Sequence, residues 1–371
     1  MKLASRIGSL EASPIRRLSE GAPPDAIPLG LGEPTWDLPE PARRALRESS
    51  GTCSYGPNAG LPELRRAIAA WHGVDPDEVL VTCGSSGALF GLFLAFVEPG
   101  DEVLIPDPGY PAYEALARLS GGVVRLYSLD ACFRLNAEQF IAALEASPKA
   151  RLAVLNAPSN PTGGGARRDD LLRIARACEA RDVLLVSDEV YRELHFGERP
   201  TSLRDVSSSG VVVTSVSKGW GAPGLRVGWA VGDPEILARL RIVHGYAVTA
   251  AARPAQHAAL ALVEASAEVL TAAREEIRIR FEALKEAQVR ELGRSVVPPD
   301  GGFYLFMSLP EGALADPWSF CLALRDQARV VLVPGEVFGP AGRAHVRLSF
   351  AAFPEQIAEG VRRIAPFWGA S

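Results

Sequence analysis

The sequence predicts an α/β protein: a three-layer α/β/α large domain with a mainly parallel seven-stranded sheet, plus a smaller α+β domain. Two observations lead to this prediction. Short runs rich in β-branched residues alternate with helical patterns through the middle of the chain, and several of these runs are apolar at nearly every position. Apolar runs are typical of strands buried on both faces, and their alternation with helices favours a parallel sheet between two helical layers.

The predicted sheet consists of seven runs, at residues 79–82, 103–105, 123–127, 152–155, 183–187, 211–215 and 227–231. Helical patterns at 61–71, 87–96, 137–146 and 168–180 lie among them. The chain also has 35 Gly and 29 Pro, more than average usage, and these residues supply the tight turns that strand–helix alternation requires. We therefore expect one continuous sheet with helical crossovers.

The smaller domain is predicted from both ends of the chain. A long helical tract runs from about residue 253 to 292, and strand-like runs at 304–307, 330–333 and 344–350 follow it among helices. The first 45 residues are rich in Pro and contain no strand run of comparable strength. We expect a large domain at 46–265 and a small domain formed by 1–45 together with 266–371.

Composition and charge exclude several classes of protein. The net charge is −5 and spread along the chain, so we expect neither a nucleic-acid partner nor a membrane surface. Arg6 and Glu11 interrupt the apolar core that a signal peptide needs, and no apolar run approaches the roughly 18 residues of a membrane span. The five widely spaced cysteines favour a reducing compartment over a disulfide framework or zinc site: Cys53, Cys83, Cys132, Cys178 and Cys321. We expect a soluble, cytoplasmic protein.

A glycine-rich stretch at 219–224 formally matches the dinucleotide fingerprint G-x-G-x-x-G. That fingerprint opens a helix, whereas here Pro223 interrupts it and a strand-like pattern resumes at 225–231. We reject a dinucleotide site and assign these glycines to a turn.

The strand run that precedes this turn ends in two hydroxyls and an amine: Ser215, Ser217 and Lys218. A lysine at the carboxyl end of a parallel strand faces the crevice where open α/β sheets bind ligands. Burial and the nearby Arg226 would lower its pKa towards the neutral amine that attacks a carbonyl, and the hydroxyls and guanidinium can hold a phosphate. Taken alone, Lys218 is better explained as an ordinary surface lysine.

Three other strand ends carry polar groups. Asp188 follows the run at 183–187 with Tyr191 close behind it; the carboxylate suits a protonated ring nitrogen or a helix N-cap. Asn160 follows the run at 152–155 and is either a ligand-binding amide or part of a plain turn. Ser85 and Ser86 follow the run at 79–82 and open a helix, where backbone N–H groups can bind an anion or the serines can simply cap the helix.

These four strand ends, in this order, resemble the pyridoxal-phosphate enzymes of the aspartate aminotransferase fold (fold type I), and specifically the class I/II aminotransferases. The resemblance extends from residues 32–34 to 347–350, nearly the whole chain, and its most specific stretch is 215–218 with 224–226 and 228–229. It implies that 46–265 is the cofactor-binding domain and that pyridoxal 5′-phosphate is the cofactor.

The resemblance also implies roles for the residues around the cofactor ring. Lys218 carries the internal aldimine and moves the proton between the substrate Cα and the cofactor C4′. Asp188 pairs with the pyridinium nitrogen, so that the ring can act as an electron sink. Asn160 and Tyr191 hydrogen-bond the ring O3′, and Tyr110 stacks on the ring.

The remaining implied roles concern the phosphate, the substrate and a second subunit. The phosphate cup comprises Ser85, Ser86, Ser215 and Arg226, with Ser217 as a further member. Tyr55 lies in a segment whose tyrosine reaches the neighbouring phosphate across a dimer interface, which implies a homodimer with shared active sites. Arg347 matches the arginine that binds the substrate carboxylate, although without the other motifs we would interpret it as a surface strand residue. Gly32 and Trp36 lie in the predicted substrate mouth, although we favour a packing role between the domains for Trp36.

We therefore expect amino-group transfer from an L-amino acid to a 2-oxo acid by a ping-pong mechanism. Dicarboxylate-specific relatives carry another arginine shortly before Pro-Ala-Gln, but residues 244–249 contain none and Arg253 is offset from that position, so we do not expect aspartate or glutamate as the preferred substrate. A lyase or cyclase acting at a β- or γ-substituent is the alternative on the same scaffold, and a non-catalytic, cofactor-binding regulatory protein is a further one.

Overall fold

The computed structural model describes residues 4–8, 10–51 and 54–369. Its strands are β1 (Val79–Thr82), β2 (Glu102–Asp107), β3 (Val123–Ser128), β4 (Ala150–Asn156), β5 (Leu184–Asp188), β6 (Val211–Ser215), β7 (Gly228–Gly232), β8 (Tyr304–Ser308), β9 (Val333–Pro334) and β10 (His345–Ser349). Its α-helices are α1 (Ser5–Gly8), α2 (Pro14–Glu20), α3 (Glu40–Glu48), α4 (Pro62–His72), α5 (Gly84–Phe96), α6 (Ala112–Leu119), α7 (Ala137–Glu145), α8 (Arg168–Glu179), α9 (Pro234–Val248), α10 (Arg253–Glu264), α11 (Ser266–Leu292), α12 (Pro317–Ala323) and α13 (Pro354–Ile364).

The large sheet has seven strands in the order β1-β7-β6-β5-β4-β2-β3. Strand β7 is antiparallel to both of its neighbours, β1 and β6, and the other pairs are parallel. The predicted mainly parallel seven-stranded sheet is therefore confirmed. In the parallel part, Asn156 at the end of β4 lies opposite Asp188 at the end of β5, so the carboxyl ends of these strands meet at one edge.

Helices cover both faces of this sheet, and strand β4 shows how its side chains divide between them. Ala153 and Leu155 point into one buried core with residues of α3, α4, α7, α8 and α10. Leu152 and Val154 point into a second core with residues of α5, α6 and α9. Alternate side chains of a strand face opposite sides of a sheet, so an all-apolar strand is buried on both faces. The three-layer α/β/α prediction is confirmed.

A second sheet has three antiparallel strands in the order β8-β10-β9. Its core includes Leu18, Ile27 and Leu29 from the start of the chain and residues of α11, α12 and α13 from its end. Helix α11 also contributes Val269 and Leu270 to the core of the large sheet. The predicted domain boundaries at 45/46 and 265/266 stay a prediction, since α11 packs against both cores.

Two elements differ from the prediction. The run at 330–333 forms a strand only at Val333–Pro334, whereas Val330 makes an isolated parallel bridge with Ile27 from the beginning of the chain. The helical tract at 253–292 is two helices that meet at Ala265. The bridge joins segments that are distant in the sequence, and local periodicity does not report such a contact. Within the described ranges, no helix is both long and apolar enough to cross a membrane.

Candidate active site

A lysine amine lies in the crevice at the carboxyl edge of the large sheet. Lys218 follows β6 by three residues, and its Nζ donates a hydrogen bond of 2.5 Å to the carbonyl oxygen of Gly32. The rings of Tyr191 and Phe303 each have their centroid 5.9 Å from the same nitrogen. The lysine therefore points into a crevice with aromatic walls instead of extending into solvent, and the surface-lysine alternative does not describe it.

The surroundings of Lys218 favour its neutral form. Burial lowers the pKa of its amine from 10.5 to about 8; Glu33 and Asp188 oppose this shift, while the cations Arg347 and Arg226 add to it. At pH 7 about a tenth of the amine is then unprotonated, and only that form can attack a carbonyl carbon.

Asp188, at the end of β5, is a buried carboxylate. Its Oδ2 accepts a hydrogen bond of 2.8 Å from the hydroxyl of Tyr113, and its Oδ1 accepts one of 3.4 Å from the backbone N–H of Val190. Burial raises the pKa of Asp188 to about 6, although both hydrogen bonds lower it. No α-helix begins at Asp188 among the described residues, so the alternative of a helix N-cap is wrong.

The loop after β4 brings Asn160 against Arg347 of β10. The Arg347 guanidinium donates 2.6 Å hydrogen bonds to Asn160 Oδ1 and to the carbonyl oxygen of Gly30. It also lies 4.4 Å from the centroid of the Tyr304 ring and 4.8 Å from that of Phe338. Arg347 is buried, so it is not a surface strand residue.

The Nε of Arg347 is buried and has no hydrogen-bond partner among the described residues. A buried guanidinium without a carboxylate partner is costly, and its planar fork matches a carboxylate bidentately. The arrangement therefore fits an anion that is supplied by a ligand.

Two tyrosine hydroxyls meet between the two sheets. The hydroxyl groups of Tyr191 and Tyr304 are 2.9 Å apart. The backbone at Gly32 lies so close to this pair that a Cβ at this position would overlap the Tyr304 hydroxyl. Glycine at position 32 therefore allows the backbone that accepts the Lys218 hydrogen bond to approach the tyrosine pair.

An anion seat lies where α5 begins. A Cβ on Gly228 of β7 would lie 2.5 Å from the backbone nitrogen of Ser85, so this glycine allows the first turn of α5 to approach the sheet. A Cβ on Gly84 would lie 2.6 Å from a guanidinium nitrogen of Arg226, which places that cation beside the same turn. Ser86 lies on the exposed side of the turn. Backbone donors at a helix N-terminus next to a guanidinium suit a phosphate.

Two further serines lie on the β6 side of this seat. Ser215, at the end of β6, is completely buried, and its Oγ accepts a 3.3 Å hydrogen bond from the backbone N–H of Ser217. Ser217 is also buried, one residue before Lys218. Ser217 and Lys218 are therefore neighbouring residues in the loop that follows β6.

Tyr110 and Trp36 each pack against other parts of the chain. The Tyr110 ring is partly buried, with its centroid 5.5 Å from that of Tyr113. Trp36 packs against the backbone of Gly221, and the guanidinium of Arg280 lies 5.3 Å from the centroid of its ring. These contacts support the packing alternative for Trp36.

Tyr55 is not brought to the crevice within one chain. Tyr55 is 88% exposed, and Tyr246 is 92% exposed. Of the cysteines, Cys53 lies outside the described residues, and Cys83, Cys132, Cys178 and Cys321 are free thiols.

Several residues of the crevice were not predicted. Tyr113 lies on α6, three residues after Tyr110, and this short separation from a predicted site residue is a signal that could have identified it. Asn156 donates a 2.9 Å hydrogen bond to the Asp188 carbonyl oxygen, and its Oδ1 accepts the backbone N–H of Asn160 at 2.8 Å. Tyr304, Phe303 and Phe338 come from distant segments and carry no local signal.

Together these groups fit a phosphorylated pyridine aldehyde. The amine suits the aldehyde, the anion seat suits the phosphate, and a buried carboxylate with a raised pKa is stabilised by a protonated ring nitrogen. The Arg347 guanidinium, with its unpartnered Nε, suits the carboxylate of a second molecule.

Comparisons with known proteins agree with this fit. The family model described as aminotransferase class I and II matches residues 24–364. The aspartate aminotransferase of Geobacillus stearothermophilus is 33% identical over the full length of both chains. The probable N-acetyl-LL-diaminopimelate aminotransferase of Bacillus subtilis is also 33% identical, over 96% of this chain and 93% of its own.

Solved structures share the whole fold. The aspartate aminotransferase from Thermus thermophilus with maleate has a TM-score of 0.89 at 31% identity and covers 99% of this chain and 100% of its own. The N-succinyldiaminopimelate aminotransferase from Mycobacterium tuberculosis has a TM-score of 0.90 at 28% identity, over 99% and 100%. The chain belongs to the class I and II aminotransferases and is a pyridoxal 5′-phosphate-dependent enzyme that transfers an amino group from an amino acid to an oxo acid.

Proposed function

We propose that both half-reactions, from an L-amino acid and to a 2-oxo acid, take place in turn at the crevice around Lys218. The convergence of Lys218, in the loop after β6, with Asp188 of β5 and Arg347 of β10 supports this proposal most directly. Bound pyridoxal 5′-phosphate supplies an electron sink for the bond that breaks at the substrate Cα.

Lys218 is the residue that we assign to proton movement. Its amine would hold the cofactor aldehyde covalently between turnovers and, once freed, take the proton from the substrate Cα. A base works best when its pKa lies near the working pH, and a pKa of about 8 meets that requirement.

Asp188 would hold the protonated ring nitrogen. Its carboxylate is buried and hydrogen-bonded to Tyr113, which fixes its orientation. A cationic partner would repay the cost of keeping this charge in the protein interior. Tyr110 would cover a face of the ring, and Tyr191, held by Tyr304, would serve the ring oxygen together with Asn160.

Arg347 would bind the substrate carboxylate. Two of its N–H groups are engaged by Asn160 and Gly30, which fix the guanidinium plane, while its buried Nε–H remains for a ligand. Since the oxygen of Asn160 accepts from Arg347, its amide nitrogen is the part that can donate to a ligand. Asn160 would thus help to orient both the substrate, through Arg347, and the cofactor, through its own amide nitrogen.

The phosphate would lie at the start of α5. Its donors would be the backbone N–H groups of Ser85 and Ser86, the hydroxyls of Ser215 and Ser217, and the guanidinium of Arg226.

We also propose a cytoplasmic location, which the free thiols of the four described cysteines support.

A homodimer is part of this proposal. Tyr55 and Tyr246 are highly exposed phenols, and other large apolar side chains exposed on α5 and α9 are Phe90, Leu94, Ile242 and Val248. Exposed apolar groups in such number are typical of an interaction surface. A second copy would cover them and bring its Tyr55 towards the phosphate seat. Sedimentation equilibrium that gives only the monomer mass at micromolar concentration would contradict the dimer.

The segment before Pro254 lacks the arginine that would bind a second carboxylate on the substrate. Residues 244–249 contain no arginine, so a second carboxylate on the substrate has no partner there. We propose that a monocarboxylic L-amino acid is preferred over aspartate and glutamate. A panel of amino donors, each tested with pyruvate and 2-oxoglutarate, identifies the preferred pair. Ammonia release without an acceptor would instead indicate the lyase alternative.

Borohydride reduction of the holoenzyme, followed by peptide mass spectrometry, tests the assignment of Lys218. The proposal predicts that the phosphopyridoxyl mass is found on the peptide that contains Lys218. Its appearance only on Lys149 or Lys285, the other lysines within the described part of the chain, would contradict it.

A further inference from the structure

Behind the anion seat lies a histidine to which no role has been assigned above. His244 is on α9 and only 2% exposed. Helix α9 packs against α5, and the His244 ring lies against the first turn of α5: its Cδ2 is 3.9 Å from the position that a Cβ would take on Gly87.

One ring nitrogen of His244 holds the backbone where α5 begins. Its Nε2 accepts a hydrogen bond of 3.1 Å from the backbone N–H of Cys83. Cys83 is the residue immediately before Gly84, at which α5 begins. A nitrogen that accepts a hydrogen bond carries no proton, so the neutral ring has its proton on Nδ1.

The other ring nitrogen is left without a partner. Nδ1 is buried and has no hydrogen-bond partner among the described residues. Burying an unpaired polar group is unfavourable, so an apolar side chain would be the more stable choice if packing were its purpose. The imidazole therefore points to a need for an acceptor at Nε2. Burial lowers the pKa of His244 below its usual 6.5, which keeps that acceptor unprotonated at neutral pH.

We propose that His244 is a positioning residue for the cofactor phosphate: by holding the Cys83 N–H, it fixes the first turn of α5 so that the N–H groups of Ser85 and Ser86 face the phosphate. This inference rests on the proposed phosphate seat. His244 itself touches neither cofactor nor substrate in this account and acts through the backbone of Cys83 and Gly84.

Three variants of His244 separate this role from simple packing. His244→Leu fills a similar volume without an acceptor. The Gln side chain of His244→Gln places an oxygen nearly as far from the backbone as Nε2. The Asn side chain of His244→Asn is shorter, so its oxygen does not reach the Cys83 N–H. The full-length protein, freed of cofactor, is titrated with pyridoxal 5′-phosphate and with pyridoxal, which lacks the phosphate. Thermal unfolding checks that each variant is folded, and the Asn variant replaces the Leu variant if the latter does not fold.

The expected result is a loss of affinity that depends on the phosphate. Losing one backbone hydrogen bond and the alignment that it maintains should weaken binding of pyridoxal 5′-phosphate about fivefold or more in the Leu and Asn variants. Binding of pyridoxal should change less than about twofold, and the Gln variant should bind both ligands like the wild type.

Unchanged affinity of the Leu and Asn variants for pyridoxal 5′-phosphate would overturn the inference while the proposed function stands. An equal loss for both ligands would also overturn it, because the effect would then be general packing. If the wild type bound pyridoxal as tightly as its phosphate ester, the proposed phosphate seat would fail, and the role of His244 would fail with it.

Discussion

Arg347 donates a 2.6 Å hydrogen bond to the side-chain oxygen of Asn160, a residue 187 positions earlier in the chain. Arg347 lies on β10 of the small sheet and Asn160 on the loop after β4 of the large sheet. This contact joins the group that we assign to the substrate carboxylate to one that we assign to the cofactor ring. Under this assignment, a substrate bound at Arg347 would be positioned relative to the ring.

The first prediction concerns Arg347→Lys. Lysine keeps the positive charge but loses the planar fork, so the carboxylate loses a bidentate partner and Asn160 loses its donor. We expect kcat/KM for the amino donor to fall about 100-fold, since hydrogen bonds to charged groups contribute roughly 1.5–3 kcal/mol each. Steady-state kinetics with the preferred donor measures this change.

A primary amine without a carboxylate is the matched control for Arg347→Lys. Its slow half-reaction offers no carboxylate to the guanidinium, so its rate should fall much less in the variant than the rate with the amino acid does. Equal losses for the amino acid and the amine would contradict the assignment of Arg347 to the carboxylate.

The second prediction concerns the stability of the cofactor-free protein. Burial raises the pKa of Asp188 to about 6 from an ordinary value near 3.8, so the folded state favours the protonated carboxyl. The stability that this group contributes is present below about pH 4 and is lost as the pH rises through 6. At pH 7.5 the ionised Asp188 therefore costs roughly 2–3 kcal/mol.

Asp188→Asn removes this cost and can still accept a hydrogen bond from Tyr113. We expect the cofactor-free variant to have a higher free energy of unfolding than the wild type at pH 7.5, and the difference to shrink towards pH 4.5. Urea unfolding at both pH values measures it. A variant less stable than the wild type at pH 7.5 would show that the charge is already compensated without the cofactor.

The third prediction concerns the amine of Lys218. In cofactor-free protein its acetylation by acetic anhydride should follow a titration curve with a midpoint near the pKa of about 8, because only the neutral amine reacts. Arg347 lowers this pKa, so Arg347→Ala should move the curve to higher pH. Quantitative mass spectrometry of the Lys218 peptide gives the curve. A midpoint above 10 in the wild type, or a shift to lower pH in the variant, would contradict this interpretation.

The sequence predicted the large sheet and the residues at its edge because one physical rule connects them. Parallel strands bring their carboxyl ends to the same edge, so Asn160, Asp188 and Lys218 had to lie near one another once the strands were recognised. The strand runs could be recognised because they are buried on both faces and therefore almost entirely apolar.

The contacts that complete the site were beyond local patterns. The Tyr113 hydroxyl reaches Asp188, and the Tyr304 hydroxyl reaches Tyr191, across 75 and 113 residues of sequence. Such contacts depend on how α6 and β8 pack against the large sheet, and periodicity within a segment carries no information about packing between segments. Trp36 illustrates the same limit, since the sequence allowed both a substrate contact and a packing role.

The most direct test of the central claim is the first half-reaction of Lys218→Ala, loaded with pyridoxal 5′-phosphate and mixed with the preferred amino donor in the absence of an acceptor. The wild type should release about one equivalent of 2-oxo acid per subunit. The folded, cofactor-loaded variant should be slower by about a thousandfold or more, because it lacks the group that we assign to proton movement at the substrate Cα. Release of the oxo acid by the variant at the wild-type rate would contradict the account.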